Sequence, residues 1–122
     1  MIRRYSLPEM AALFTEQARW EMLLEVEILA TEARSKLGEV PTEHAVVCRE
    51  KKPTIDEAFI AEVDEREAIT NHDLAAFVDV VQSRIGAPEG NWIHYGLTSS
   101  DVVDTAQCAI MVKAADLLIE AS

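Results

Sequence analysis

Two stretches of the sequence set hydroxyls and a carboxylate beside a histidine. Thr70-Asn71-His72-Asp73 carries its histidine inside the stretch, and Thr98-Ser99-Ser100-Asp101 has His94 a few residues ahead of it. A hydroxyl followed three residues later by an acid is first of all the signature of a helix N-terminus, and capping alone accounts for both stretches more often than not. A helix start does more than end a helix, however. It leaves backbone N–H groups free and presents the positive end of the dipole, which suits a phosphate or a carboxylate. Three consecutive hydroxyls at Thr98, Ser99 and Ser100 exceed what a cap needs, and Gly96 permits close backbone approach just before them. Arg3-Arg4-Tyr5 reads by default as an ordinary basic terminus; alternatively it offers a guanidinium and a phenol to a phosphate and a ribose. His44, in a first helical turn after Pro41, reads as a surface residue. No nucleophile–base spacing, metal-ligand cluster or phosphate loop fixes a reaction from these residues alone.

The elements that must position these groups are helical. Pro8 opens a short helix at its first position, where a missing N–H is harmless. Thr15 caps a long helix that ends near Leu37, with Gly38 beyond it. On that helix Met22, Val26, Leu29, Ala33 and Leu37 recur at helical spacing. The set Trp20, Leu23, Leu24, Glu27, Ala30 and Arg34 is mixed, so the apolar arc is broad. Pro41 restarts a helix to about Arg49, and Glu50-Lys51-Lys52-Pro53 is a break. Thr54-Ile55-Asp56-Glu57 reads as a capping box with Thr54 as the cap, opening a helix that carries Phe59, Ile60, Val63 and Ile69. From Thr70 the next helix turns Leu74, Phe77, Val78, Val81 and Ile85 inward until Gly86 stops it. After a turn-rich loop comes the apolar, aromatic segment Trp92–Leu97. The last helix starts at Thr98 or Ser99 with Val103, Ala106, Ile110, Met111, Ala114, Leu117 and Leu118 in register. It runs to Ser122 with neither Gly nor Pro to stop it, as expected of a chain cut from a longer one. No strand alternation appears, so the expected class is all-α.

Composition bounds the partners. The 122 residues hold 11 Lys+Arg against 22 Asp+Glu, a net charge of −11. The acidity lies mostly in the second half, about −8 against −3 for residues 1–61. Such a field repels nucleic acid and anionic membranes, so an anionic ligand must be held by local donors. No apolar run is long enough to cross a bilayer, and no apolar stretch follows Arg3-Arg4 as in a secretory leader. Cys48 and Cys108 sit in apolar helical surroundings without metal-ligand spacing, and both are expected to be buried thiols in a reducing compartment. The expected location is cytoplasmic.

Three motifs carry a resemblance to a known family. Trp92-Ile93-His94-Tyr95-Gly96-Leu97-Thr98-Ser99-Ser100-Asp101-Val102-Val103-Asp104-Thr105 closely resembles the HYGxTSSDVxDT segment of the adenylosuccinate lyases. Thr70-Asn71-His72-Asp73-Leu74-Ala75-Ala76-Phe77 is similar to their x-H-D-V-x-A-F segment, and Ile2-Arg3-Arg4-Tyr5-Ser6-Leu7-Pro8-Glu9-Met10 to their I-x-R-Y-x-x-P-E-M opening. The three occur in the family's order and span the chain. Argininosuccinate lyases and class II fumarases of the same fumarase/aspartase superfamily fit worse at the TSSD position. Two departures stand out: Asn71 where a basic residue or His is often found, which removes a charge, and Leu74 in place of Val.

The resemblance implies the N-terminal portion of an enzyme of purine (AMP) biosynthesis. Such an enzyme cleaves adenylosuccinate to AMP and fumarate, and SAICAR to AICAR and fumarate, by β-elimination without metal or organic cofactor. It implies that residues 1–98 form an N-terminal helical domain and 99–122 the start of a long helix in a central bundle. It further implies that Arg4 and Tyr5 contact the nucleotide phosphate and ribose. Asn71, His72 and Asp73 would line the nucleotide and succinyl pocket, Thr98 and Ser99 would hold a succinyl carboxylate, and His94 would orient the substrate or its phosphate. Whether His72 or His94 also moves a proton stays open. The family's general-acid histidine and its serine on a mobile loop lie in later segments, so the 122 residues alone are expected to be inactive. Its subunits form homotetramers whose sites draw on more than one chain. The rival readings are another lyase of the superfamily and a free-standing helical interaction module.

Overall fold

The computed structural model describes residues 2–122, and among these there is no strand. Six α-helices run in order: α1 (Pro8–Ala12), α2 (Glu16–Lys36), α3 (Thr42–Glu50), α4 (Glu57–Thr70), α5 (Asp73–Ile85) and α6 (Ser99–Ala121). Short 3₁₀ turns occupy Arg3–Tyr5 and Glu89–Trp92. The all-α class expected from the sequence is the one observed.

Helix α5 is the hub. Leu74, Ala76, Phe77, Val78, Val80, Val81 and Ile85 are buried on it, a wider arc than one neighbour can cover. It packs against α4 and the Glu89–Trp92 turn, while α2 packs against α3 and α6. Phe77 joins these layers. Its ring stacks on Trp20 of α2 at 4.9 Å and meets the edge of Phe59 of α4 at 5.9 Å.

Helix ends follow local chemistry. Thr15 accepts the Ala18 N–H at 3.0 Å, as its residue type dictates. Gly38 takes a left-handed φ of +80° just past the end of α2. The cap of α4 differs from the sequence expectation: Asp56, not Thr54, accepts the Phe59 N–H at 2.8 Å. A carboxylate one helical step nearer the apolar residues takes the cap position because Ile55 is buried and fixes the chain before it.

Other expectations are corrected by burial. The inward face of α2 is Trp20, Leu23, Leu24, Glu27, Ile28 and Thr31, whereas Leu29 and Leu37 are exposed. Packing on α3, α5 and α6 selects the mixed face over the purely apolar spacing. Cys48 is buried, but Cys108 is exposed on α6. Ile69 is exposed at the end of α4. His44 is half-buried rather than free on the surface, and its Nδ1 accepts the Trp92 Nε1–H at 3.0 Å. On α6 the buried residues are Val102 and Ala106, while Met111 and Leu118 of the expected stripe face outward.

Candidate functional site

The link between α4 and α5 is only two residues long, and it places His72 by geometry. Asn71 ends α4 in the left-handed region at φ +55°, a conformation its short polar side chain tolerates. His72 then becomes the N-cap of α5: its Nδ1 accepts the Ala75 N–H at 3.1 Å. Accepting at Nδ1 makes Nε2 the protonated nitrogen of a neutral ring, and Nε2 points away from the helix toward α6. There it lies 3.4 Å from Ser99 Oγ. Two helix starts that are 27 residues apart in sequence thus meet through one contact.

The start of α6 is held from within. Asp101 Oδ2 accepts the Thr98 N–H at 2.9 Å, the returning arm of a capping box. Ser99 is half-buried beside it, and Ser100 is exposed. Asp73 is likewise occupied: one oxygen accepts the Leu74 N–H at 2.8 Å and the other lies 3.4 Å from Arg19 of α2. Both carboxylates of the two sequence stretches therefore serve their own helix ends.

Between the two starts runs an open groove of about 560 Å³, with His72, Ser99, His94, Tyr95, Asp79 and Gln82 on its walls. The segment before α6 forms one side. Gln82 of α5 donates its side-chain amide to Ile93 O at 2.9 Å, and Ile93 is buried, which pins the segment to the hub. His94 follows at φ +68° and Gly96 at φ +71°. The Arg34 guanidinium of α2 lies beneath this bend, 5.5 Å from the Tyr95 ring centroid and 3.4 Å from Gly96 O. Arg4 and Tyr5 do not line the groove; they occupy an exposed 3₁₀ turn, with the Arg4 guanidinium over its neighbour's ring at 4.7 Å. Asn71, Asp73 and Thr98 flank the groove in sequence without lining it.

The residue that reading the sequence missed is Glu27. It is fully buried on α2, and its Oε1 lies 2.6 Å from His94 Nδ1. Burial pushes its carboxyl up from the ordinary value, opposed by the hydrogen bond and charge of His94. A signal was present. Glu27 falls at helical spacing between Leu23, Leu24 and Thr31, where an apolar residue was due. Among the described residues no group of three or more His, Cys, Asp or Glu is arranged to hold a metal ion, and no helix is long and apolar enough to cross a membrane.

Comparison with solved structures defines the class. The fold is similar to that of a fumarate lyase from Mesorhizobium sp. BNC1, with a TM-score of 0.71 and 22% identity over 84% of this chain and 24% of that one. It is a helical fold of the fumarate lyase kind. Sequence goes further. The chain is 45% identical over 120 residues to the adenylosuccinate lyase of Bacillus subtilis (strain 168), covering 98% of this chain and 27% of the relative. It is 47% identical over 106 residues to that of Streptococcus mutans serotype c, covering 87% and 23%. With the enzyme of the same name from Deinococcus radiodurans it shares 43% over 121 residues, covering 98% and 28%. No family model matches. The chain is similar over nearly its whole length to enzymes named adenylosuccinate lyase and spans about a quarter of the length of these relatives.

Proposed function

We propose that this chain is the opening part of an adenylosuccinate lyase of purine biosynthesis. It supplies one wall of a site that splits adenylosuccinate into AMP and fumarate, and SAICAR into AICAR and fumarate. In this β-elimination a base removes a proton from the succinyl Cβ. The freed electron pair becomes the fumarate double bond as the C–N bond breaks, and an acid protonates the departing nitrogen. Donors aimed at the succinyl carboxylates stabilise the charge that builds up before the bond breaks.

The observation that supports this reading best is the junction of the two helix starts, His72 Nε2 to Ser99 Oγ at 3.4 Å, on a groove that also holds His94. Thr98 and Ser99 offer hydroxyl and N–H groups at the start of α6 to a succinyl carboxylate. His72 faces the same spot, Asn71 and Asp73 flank it in the chain, and His94 orients the substrate. Arg4 and Tyr5, exposed and stacked on each other, are available to the phosphate and ribose. Residues 1–98 form the N-terminal domain, and 99–122 open a bundle helix that assembles four cytoplasmic subunits.

The principal acid and base lie outside these residues in this reading. The 122-residue chain given adenylosuccinate therefore releases no fumarate, while a full-length enzyme containing it does. In that enzyme Ser99→Ala weakens adenylosuccinate binding by about 10- to 100-fold, the worth of one hydrogen bond to a charged group. Single-turnover rates measured across a range of adenylosuccinate concentrations read this affinity. Turnover by the chain alone, or unchanged affinity in Ser99→Ala, defeats the proposal.

A further inference from the structure

Glu27 is an acid set in the apolar core of the fold. It is wholly buried, one oxygen meets His94 Nδ1, and its Oε2 finds no partner of hydrogen-bond geometry among the protein's own groups. An ionised carboxylate facing a neutral ring would leave a net charge in the core with one oxygen poorly satisfied, which the interior strongly disfavours. A pair holding one proton between them carries no net charge.

We propose that Glu27 is a positioning residue for His94: carboxyl and ring share one proton across Nδ1, so Nε2 keeps its own hydrogen and serves the groove as an N–H donor. The conclusion is the same wherever the shared proton sits. If it is on the ring, His94 is an imidazolium with both nitrogens protonated. If it is on Glu27, Nδ1 accepts and the neutral ring carries its hydrogen on Nε2. Only the arrangement with a bare, charged Glu27 and a ring protonated at Nδ1 alone leaves Nε2 an acceptor, and that arrangement buries the net charge.

The backbone supports a built arrangement. His94 stands at φ +68°, a left-handed conformation uncommon outside glycine, held by Ile93 on the hub and by Arg34 beneath Gly96. Other ionisable groups around the groove are His72 and Asp79 of α5 and Tyr95 of the same loop. Arg34 of α2 is paired with Glu39, so its charge is not free for Glu27. Burial raises the Glu27 carboxyl and outweighs the lowering by the side-chain hydrogen bond, the charge and the backbone of His94, a net direction that keeps a proton on the pair.

The donor's use rests on the functional reading above; the proton's place does not. Nitrogen-15 spectra of the histidine rings in the 122-residue chain test it, with His94→Gln to assign the signal. At neutral pH His94 Nε2 is expected to be protonated. In Glu27→Gln, which keeps the shape and removes the acid, the Nδ1 signal should move away from its wild-type position, because the group that shares its proton is gone. An unprotonated Nε2 in the wild type overturns the proposal, even if the variant fails to fold, and so does an unmoved Nδ1 signal in Glu27→Gln. In the full-length enzyme Glu27→Gln should raise KM for adenylosuccinate about 10-fold with a smaller change in kcat. A protonated Nε2 in an enzyme indifferent to adenylosuccinate sinks the functional reading and leaves the proton assignment standing.

Discussion

A single carbon added at residue 96 would stand 2.5 Å from Arg34 Nη2, on a backbone already at φ +71°. Arg34 is flexible and can retreat, so the cost of Gly96→Ala is mainly backbone strain, about 1–2 kcal/mol. At Gly90 the obstacle is different. A Cβ there would meet the Gln82 carbonyl oxygen at 2.5 Å, and helical backbone cannot step aside. Gly90→Ala should therefore lower the urea midpoint more than Gly96→Ala, and the reverse order would mean that Arg34 holds the His94 loop more rigidly than the turn holds α5. Residues of this kind were only half legible in the sequence. Gly96 stood out because it precedes three hydroxyls, and His72 because it sits at a helix start. Glu27 broke the apolar spacing of its helix, but one acid on a broad arc does not reveal which side its neighbours cover, so its burial and its partner His94 stayed hidden. The bond from Trp92 to His44 was equally hidden, since the two are 48 residues apart and His44 lies in no motif.

At the scale of elements, Arg49 of α3 ties itself to two acids of α2, 2.8 Å from Glu25 and 2.6 Å from Glu32. Its guanidinium holds the Glu32 carboxyl below the ordinary value, while the two acids raise the Arg49 guanidinium. Because Glu32 is lowered in the fold, its stabilisation is complete above the ordinary carboxylate pKa of about 4.3 and fades as pH falls through the lowered value. The three side chains are about a third exposed, so solvent screening keeps the whole cluster near 1 kcal/mol. Arg49→Ala is expected to flatten the acid side of the stability–pH curve measured by urea denaturation; an unchanged acid limb would show that the cluster does not titrate with folding. Asp56→Ala should cost about 1 kcal/mol through loss of the α4 cap, whereas Thr54→Ala should cost little. Helix existence was legible throughout because caps and glycines are local signals. Helix faces were not. The Met22–Leu37 spacing on α2 looked cleaner than the face that is buried, and only the placement of α3, α5 and α6 decides between them.

At the scale of the molecule, α6 exposes apolar side chains on more than one side. Met111, Val112, Leu118 and Ile119 are exposed, and beside them a hollow of about 540 Å³ opens between α2 and α6, walled by Leu13, Phe14, Leu23, Val103 and Ile110. Apolar area this extensive is rarely left in water. Against it stands the net charge of −11, which makes two copies repel. The two effects differ in their response to salt. Screening shortens the reach of the repulsion to about 8 Å at physiological ionic strength and leaves apolar burial intact. The 122-residue chain is therefore expected to associate through α6, and to do so more strongly as salt is raised, with the mass from sedimentation equilibrium climbing above that of one chain as concentration increases. Met111→Glu with Leu118→Glu should return it to a single chain at every salt concentration, because both positions are exposed and the core is untouched. A strict monomer at high concentration and high salt would mean that α6 covers its apolar side chains against its own domain in solution, and would remove the helix as an assembly surface.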